Sequence, residues 1–294
     1  MYTGITDNIV RRTPAADLLI AMLPLGAIAM LTRSWPAWAL MWAVAVAVWI
    51  AFKWIMWTDA AEEGNPGWRR RVGFFLGWAG TDAVPFRKLL PVEDPLRRDW
   101  VRAGGRIVLG AALIWLGVRL AMPLSTLVAG WVGMIGTVLL LHFGLFELIA
   151  LMWRHAGIGV EPIMLHPARA RSVADFWNRW NRGFRDLAYR KVFRPLHRRV
   201  GLTGATFGVF LFSGLIHDLM ISVPARAGYG LPTLYFLIQF AAVMFERIPR
   251  IRNFGLSANW LFTRVVVIGP LGLLFHRAFV ENVFVPFLSA IGAT

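Results

Sequence analysis

Long apolar runs separated by shorter polar and basic stretches make up most of this sequence. A helix needs about 20 mostly apolar residues to cross the hydrocarbon core of a bilayer. Candidate spans occupy residues 15–32, 36–57, 105–122, 126–153, 201–223, 230–245 and 257–276. An apolar tail, 279–294, either adds a partial eighth span or forms an interfacial helix. The sequence therefore predicts an all-α integral membrane protein, a multi-helix bundle of about seven or eight transmembrane helices with interfacial or re-entrant amphipathic helices.

The overall composition favours a membrane protein over a soluble one. Of the 294 residues, 57% are hydrophobic and 16% are charged, whereas soluble domains average about 45–50% apolar and about 25% charged residues. A single soluble core cannot bury several runs of this length. The chain has no cysteine, which excludes disulfides, thiolate metal ligands and a cysteine nucleophile. No separate soluble domain is indicated, so residues 1–294 are interpreted as one membrane-embedded domain.

Arginine and lysine give the chain a net charge of +15 and are concentrated in particular segments. The N-terminus and two long polar stretches, about 58–102 and 154–199, carry most of them. Since cytoplasmic loops of membrane proteins are enriched in these residues, we expect a multi-pass protein of the bacterial inner (cell) membrane. Its N-terminus and both long basic loops should be cytoplasmic. The excess charge has a second interpretation, binding of an anionic ligand.

Ionisable residues inside predicted spans are costly and usually functional. The candidates are His142 and Glu147 in LLLHFGLFEL, His217 and Asp218 in FLFSGLIHDLM, and His276. His217 is the most informative because it follows an apolar run, with the small residues Ser213 and Gly214 on the same helical face. A buried imidazole can take a proton from a hydroxyl. The alternative role is a histidine that only bonds a neighbouring helix.

The second basic stretch contains an amphipathic pattern, ARSVADFWNRWNRGFRDLAYRKVFRPL. At 100° per residue one arc collects Val173, Phe176, Trp177, Trp180, Phe184 and Leu187, which predicts an interfacial helix. Asn181 lies at the edge of this arc, where its amide could polarise a carbonyl. The alternative is a surface amide without a function. A weaker signal, GWAGTDAVPF at 77–86, indicates a re-entrant or interfacial turn around Asp82.

These two segments together resemble the membrane-bound O-acyltransferase (MBOAT) family. That family has a Phe-Trp-x-Arg-Trp-His or Asn element, an Arg-Asp and Tyr-x-Pro-Leu region, and a Ser-Gly-x-x-His element in a membrane helix. Here FWNRWN, FRDLAYRKVFRPL and SGLIHDL follow in the same order, within a motif core of about 172–219. Asn at position 181 and Asp after His217 make the chain look closest to the wax synthase-like branch.

The resemblance implies a membrane enzyme that moves a fatty acyl group from acyl-CoA to the hydroxyl of a long-chain or other lipid alcohol. It implies that His217 is the general base and that Asn181 orients the acyl carbonyl or the acceptor. The residues expected to bind substrate are Trp177, Arg179, Trp180, Arg182, Arg185, Ser213 and Asp218. No metal and no cofactor is expected, since acyl-CoA is a co-substrate. The expected partners are the two substrates and membrane lipids. Neither nucleic acid nor a protein partner is indicated.

Two other functions remain open at the level of sequence. One is O-acylation of a polysaccharide or cell-envelope polymer, which requires an acceptor on the far side of the membrane. The other is a proton-coupled transporter, in which His142, Glu147, His217 and Asp218 would form a proton path. The chain shows no repeated halves of the kind found in many transporters.

Overall fold

The computed structural model describes residues 34–248 and 256–294, and over these residues the chain is helical without a β-strand. The predicted first span, 15–32, lies outside the described residues. The principal helices are α1 Ala37–Asp59, α2 Trp68–Gly77, α3 Val84–Arg87, α4 Arg97–Ala121, α5 Thr126–His155, α6 Val173–Arg179, α7 Arg182–Ala225, α8 Leu231–Phe245, α9 Leu256–Ile268 and α10 Arg277–Ala290. The short helices Ala61–Glu63, Pro167–Arg169 and Leu271–Leu274 connect them.

Four of the described helices, α1, α4, α5 and α7, are long and apolar enough to cross a membrane. A fifth span results if Asn259–Leu274 and Arg277–Ala290, which meet at a 60° bend, count as one. The predicted number of seven or eight spans is therefore not confirmed. The predicted span at 230–245 is a helix of 15 residues. At 1.5 Å per residue it is roughly 22 Å long, less than the roughly 30 Å of a hydrocarbon core.

Helix α7 contains 44 residues, far more than one crossing requires. A break at Gly201 divides it, because φ of +68° and ψ of −171° are not helical values. Only glycine adopts such a conformation at low cost. The part after the break, 202–225, is roughly 36 Å long and suffices for one crossing. The part before the break belongs to the second basic stretch.

Small residues allow close helix contacts, as is usual in membrane bundles. A Cβ atom on Gly110 of α4 would lie 2.6 Å from the backbone nitrogen of Leu140 on α5. On Gly130 it would lie 2.3 Å from the side chain of Val280 in α10. The apolar tail therefore packs into the bundle, where Val280 and Leu288 are fully buried.

The predicted continuous amphipathic helix at 173–187 is wrong at its centre, where the structure has two helices, α6 and the start of α7. Trp180 is extended (ψ 129°) and Asn181 is left-handed (φ +42°). Two backbone bonds to the preceding segment hold this break: Leu165 N–H to the Arg179 carbonyl and Arg182 N–H to the Ile163 carbonyl, each 2.9 Å. Periodicity cannot reveal such a break, because asparagine tolerates the left-handed region that most residues avoid.

Candidate active site

His217 ends the regular part of α7 and has a defined hydrogen bond. Its Nδ1 lies 2.7 Å from the carbonyl oxygen of Ser213, four residues earlier. A carbonyl oxygen only accepts hydrogen bonds, so Nδ1 carries the proton and donates it. In the neutral ring, Nε2 then keeps its lone pair. A π-helical turn, Asp218–Ser222, follows at once, and such turns often occur at functional sites.

Two aromatic rings lie close to the imidazole of His217. The Phe236 ring of α8 lies 4.6 Å away between centroids, and the Phe184 ring of α7 lies 6.5 Å away with its edge toward the imidazole. Phe236 also contacts the Trp177 ring at 5.3 Å. Phe236 therefore contacts both the predicted base and an aromatic residue of α6. The sequence patterns did not single out Phe236, because it lies in an ordinary apolar run.

Ser213 and Gly214, the small residues before His217, make contacts within α7 and with α8. The Ser213 hydroxyl donates to the Val209 carbonyl of its own helix at 2.9 Å, while its carbonyl holds His217. A Cβ atom on Gly214 would lie 2.6 Å from the Cα of Thr233. Gly214 thus permits α8 to approach α7 closely enough for Phe236 to reach His217.

Asp218 has its carboxylate engaged by the start of α8. It accepts the Gly230 N–H at 2.8 Å, the Thr233 N–H at 3.1 Å and the Thr233 hydroxyl. The Ser222 hydroxyl also donates to it, at 2.8 Å. The first N–H groups of a helix have no partner within the helix and favour a negative charge. In this structure the carboxylate acts as the cap of α8.

Asn181 is the N-cap of α7. Its Oδ1 accepts the Phe184 N–H at 3.3 Å, and its own N–H contacts the Met164 sulfur at 3.3 Å. With the amide oxygen turned toward the first turn of the helix, the amide nitrogen Nδ2 is the atom that can donate to a ligand. Phe184 connects the two predicted catalytic residues, because Asn181 holds its backbone and its ring meets His217.

The two predicted tryptophans belong to different aromatic groups. Trp177 donates through Nε1 to the Gln239 side chain at 3.4 Å, and its ring contacts Phe236 near His217. Trp180 stacks on Phe176 at 5.5 Å and meets the edge of Phe143 at 6.0 Å. The structure thus brings Trp177 to the His217 group and directs Trp180 toward α5.

The three predicted arginines each pair with a carboxylate. Arg179 donates to Asp175 at 2.6 Å, Arg182 pairs with Glu161, and Arg185 donates to Asp186 at 2.8 Å. The side chains of Arg179 and Arg185 remain about one third exposed. Arg185 also donates through Nη1 to the Asn178 carbonyl at 2.8 Å, and these bonds still engage only part of the five N–H donors of each guanidinium group. Each arginine therefore retains donors for an anion.

The other predicted membrane histidines have separate surroundings. His142 lies in a π-helical part of α5 with its ring 5.3 Å from Phe146, and its Nδ1 is buried without a hydrogen-bond partner in the described part of the chain. Glu147 follows on the same helix and is partly buried. His276 accepts the Phe279 N–H through Nδ1 at 3.2 Å and thereby caps the start of α10.

Lys53 is a membrane-helix cation that the search for ionisable groups missed. It lies within α1, in the run AVAVWIAFKWIMW, and is fully buried. Its position inside a predicted span was the signal that could have identified it. Asp82, in the turn after α2, accepts the Val84 N–H at 3.2 Å. Burial raises the pKa of Asp82 above its ordinary value, and this hydrogen bond opposes the shift only in part.

A cavity of about 500 Å³ opens near the end of α7, beyond His217. Its lining includes Trp35, Pro224, Arg226 and Asn282. None of the predicted site residues lines it. Pro224 is about 10 Å along the helix axis from His217, at 1.5 Å per residue. The cavity is therefore separate from the aromatic group close to the imidazole.

Comparison with known proteins gives one family and two relatives. The profile of the MBOAT, membrane-bound O-acyltransferase family matches residues 118–271, more than half of the chain. "Diacylglycerol O-acyltransferase 1" of Chlorocebus aethiops is 31% identical over 130 residues, which are 41% of this chain and 25% of that protein. "Diacylglycerol O-acyltransferase 1" of Arabidopsis thaliana is 33% identical over 78 residues, 26% of this chain and 14% of that protein. The matched segments span a quarter or less of either relative.

Proposed function

The chain belongs to the membrane-bound O-acyltransferase family, and from this premise we propose that it transfers a fatty acyl group from acyl-CoA to the hydroxyl of a lipid alcohol. The observation that carries the proposal is the hydrogen bond between His217 Nδ1 and the Ser213 carbonyl. It selects the tautomer in which Nε2 accepts a proton. A general base of this kind needs a lone pair and a fixed ring orientation.

The reaction follows from this tautomer. Nε2 of His217 takes the proton of the acceptor hydroxyl while the oxygen forms a bond to the thioester carbonyl carbon. The tetrahedral intermediate then collapses, the carbon–sulfur bond breaks, and the leaving thiolate takes the proton back from Nε2. His217 acts first as base and then as acid, so the enzyme ends each turnover unchanged.

Asn181 supports the same step through its amide. A donor aimed at the developing oxyanion typically contributes about 100- to 1,000-fold to the rate. Oδ1 of Asn181 is held by the Phe184 N–H, which leaves Nδ2 as the donor for the acyl carbonyl. The left-handed backbone at Asn181 places this amide at the break between α6 and α7, rather than on the side of a continuous helix.

The aromatic surroundings suit an apolar acyl chain. The rings of Phe184, Phe236 and Trp177 lie around or near His217, and they offer no strong acceptor for water. Exclusion of water favours transfer to an alcohol over hydrolysis of the thioester. Arg179, Arg182 and Arg185 retain donors that suit the phosphates of the acyl donor.

A long-chain alcohol is the proposed acceptor, as in the wax synthase-like branch. Asn181 and the Asp after His217 support this branch, and the apolar rings close to His217 suit a substrate without a large polar headgroup. The relatives are named for a different lipid hydroxyl, that of diacylglycerol. Both acceptors react at a hydroxyl and differ in bulk, so they are tested side by side.

A direct assay tests the proposal. Purified enzyme in lipid nanodiscs receives radiolabelled acyl-CoA with a long-chain primary alcohol, a diacylglycerol, a soluble polysaccharide or no acceptor. We expect acyl ester and free CoA in equal amounts with the lipid alcohols, and the highest kcat/KM with the long-chain alcohol. Ester formation with the polysaccharide alone would refute the acceptor class. CoA release that does not depend on any acceptor would refute acyl transfer to a hydroxyl.

A further inference from the structure

The buried side-chain amine of Lys53 contacts two carbonyl groups of one turn and two aromatic rings. Its Nζ donates to the carbonyl oxygens of Trp78 at 2.7 Å and Gly80 at 2.9 Å. The same atom lies 4.0 Å from the centre of the Phe74 ring and 4.6 Å from that of Trp49. Two carbonyls and two ring faces are the surroundings that a charged ammonium requires away from water. A charge at such a position is costly, so it is expected to serve a purpose.

The turn that Lys53 holds is residues 77–83, called the clasped loop below. Four consecutive carbonyls at its start accept side-chain donors. Trp153 Nε1 donates to Gly77 at 2.8 Å, Lys53 to Trp78 and Gly80, and Trp49 Nε1 to Ala79 at 2.8 Å. These carbonyls follow the end of α2, where a helix has unpaired acceptors and a partial negative charge. Donors from α1 and α5 therefore fix the whole start of the loop.

The other end of the clasped loop presses on the start of α7. The Thr81 hydroxyl donates to the Gly183 carbonyl at 2.8 Å, and both groups are buried. A Cβ atom on Gly183 would lie only 3.2 Å from the Thr81 backbone nitrogen. Gly183 is two residues after Asn181, in the first turn that Asn181 caps. The loop therefore supports the backbone of this turn.

Helix α1 reaches the same turn by a second route. Phe52, the neighbour of Lys53, has its ring 5.8 Å from Phe184 and 6.2 Å from Phe212. Phe184 stacks on Phe212 at 5.7 Å and meets His217 at 6.5 Å. One turn of α1 thus fixes the side chain of Phe184 through Phe52 and the backbone of Gly183 through Lys53 and the loop.

We propose that Lys53 is a positioning residue for acyl transfer, which acts through the clasped loop and Thr81 to hold Asn181 in place. The inference rests on the proposed role of Asn181 in acyl transfer. Lys53 contacts the loop and two aromatic rings, so in this proposal it acts through them and not on the substrates directly. Its loss displaces the turn that carries the Asn181 amide, and a displacement of about 1 Å costs up to about 100-fold in rate. The substrates bind largely as before, so the loss appears in kcat.

Single substitutions test the chain of contacts from Lys53 through the clasped loop and Thr81 to Asn181. Lys53→Met keeps the length of the side chain and removes the donor, and Thr81→Val removes only the bond to Gly183. We expect both variants to lose about tenfold or more in kcat with little change in either KM. The double variant should lose no more than the worse single variant, because both interrupt one chain of contacts. The control is Thr206→Val, which removes a hydroxyl that bonds only within α7 and should leave kcat unchanged.

Measurements in the Asn181→Asp variant distinguish this inference from the proposed function. Asn181→Asp keeps the capping oxygen and tolerates the left-handed backbone, but it loses the amide donor. In this background, assayed with labelled donor, Lys53→Met should reduce the residual kcat by less than about twofold. A full tenfold loss there would show that Lys53 acts independently of Asn181 and would overturn the inference. If Asn181→Asp alone matches the parent, the role of Asn181 in the proposed function is wrong.

The test of the inference must not depend on whether the Lys53→Met variant folds. If Lys53→Met does not accumulate in membranes, Thr81→Val carries the test, since it leaves Lys53 and its bonds to the loop intact. A lower kcat with an unchanged thermal midpoint supports the inference. An unchanged kcat in correctly inserted Thr81→Val overturns it.

Discussion

His217 obtains its tautomer from its own helix rather than from a carboxylate. The Ser213 carbonyl, 2.7 Å from Nδ1, fixes the ring and leaves Nε2 as the proton acceptor. The carboxylate of the adjacent Asp218 accepts hydrogen bonds from α8 and its N-terminal cap residue. The proposed base is therefore oriented by a neutral group.

Replacement of His217 should abolish turnover without preventing folding. We expect His217→Ala to lose at least about 100-fold in kcat, the usual scale for a lost general base. Its yield from membranes and its thermal midpoint should remain close to those of the parent. Rates of acyl transfer, measured on protein shown to be folded by size exclusion, check this. An active, folded His217→Ala enzyme would rule out the proposed mechanism.

Asp82 should make stability depend on pH. Burial raises its folded-state pKa above the ordinary value, so its ionisation opposes folding. The protonated form of Asp82 favours folding, and this contribution is fully present below about pH 4, near the ordinary pKa of aspartate. It is lost as the pH rises through the raised pKa of the folded state. Asp82→Asn keeps an oxygen for the Val84 N–H and removes this ionisation. The variant should melt at the same temperature as the parent near pH 4 and at a higher temperature near pH 8. A constant difference across this range would contradict the prediction.

Arg182 should bind the donor in spite of its pairing with Glu161. Arg182→Gln should raise the KM for acyl-CoA severalfold and leave the KM for the alcohol unchanged, because the guanidinium group bonds phosphate. Glu161→Gln is the matched control. It releases Arg182 from a competing carboxylate, so the donor KM should stay the same or fall. If both variants raise the donor KM equally, the pair has only a structural role.

At the level of helices, the contact between α7 and α8 determines the surroundings of the base. Asp218 caps the first turn of α8, Gly214 lets Thr233 approach, and Phe236 then meets the His217 ring. The SGLIHDL motif therefore supplies part of the contact surface for α8 as well as the proposed base.

Loss of the Asp218 carboxylate should therefore loosen α8. Asp218→Ala removes the acceptor of the Gly230 and Thr233 N–H groups, and loss of a helix cap costs about 0.5–2 kcal/mol. We expect a lower thermal midpoint together with a lower kcat. Thr233→Val, which removes one donor, should show a smaller change in the same direction. Normal stability with a raised KM for the alcohol would instead indicate that Asp218 binds substrate.

The sequence predicted the helices better than the connections between them. Apolar runs identified α1, α4, α5 and the membrane part of α7 to within a few residues, apart from the start of α4, because burial in lipid imposes a length and a composition. The break at Trp180 and Asn181 was missed, since an asparagine in the left-handed region leaves the helical period unchanged. The proximity of Phe184, Phe236 and His217 was also missed, because it depends on the contact between α7 and α8.

For the whole molecule, the order of crossings predicts which loops share a side. Among the described residues, α1 is the candidate crossing before Asn65, and α4 and α5 are the two candidate crossings between Asn65 and His197. Reporter fusions at these two positions should give the same result, and a fusion at Arg226, after the crossing by α7, the opposite one. The excess of arginine and lysine predicts that Asn65 and His197 both lie in the cytoplasm. Opposite results for Asn65 and His197 would contradict this arrangement.

The short length of α8 affects the distance between bulk water and the proposed active site. The helix starts at the Asp218 cap and ends at Glu246, whose carboxylate accepts the Val173 N–H at 2.7 Å at the start of α6. These two polar ends are only about 22 Å apart. A membrane crossing by α8 would therefore require the bilayer to thin locally or the start of α6 to lie below the headgroups. Either arrangement would bring bulk water closer to the proposed base, so that the proposed acyl-CoA donor would react with its nucleotide still hydrated.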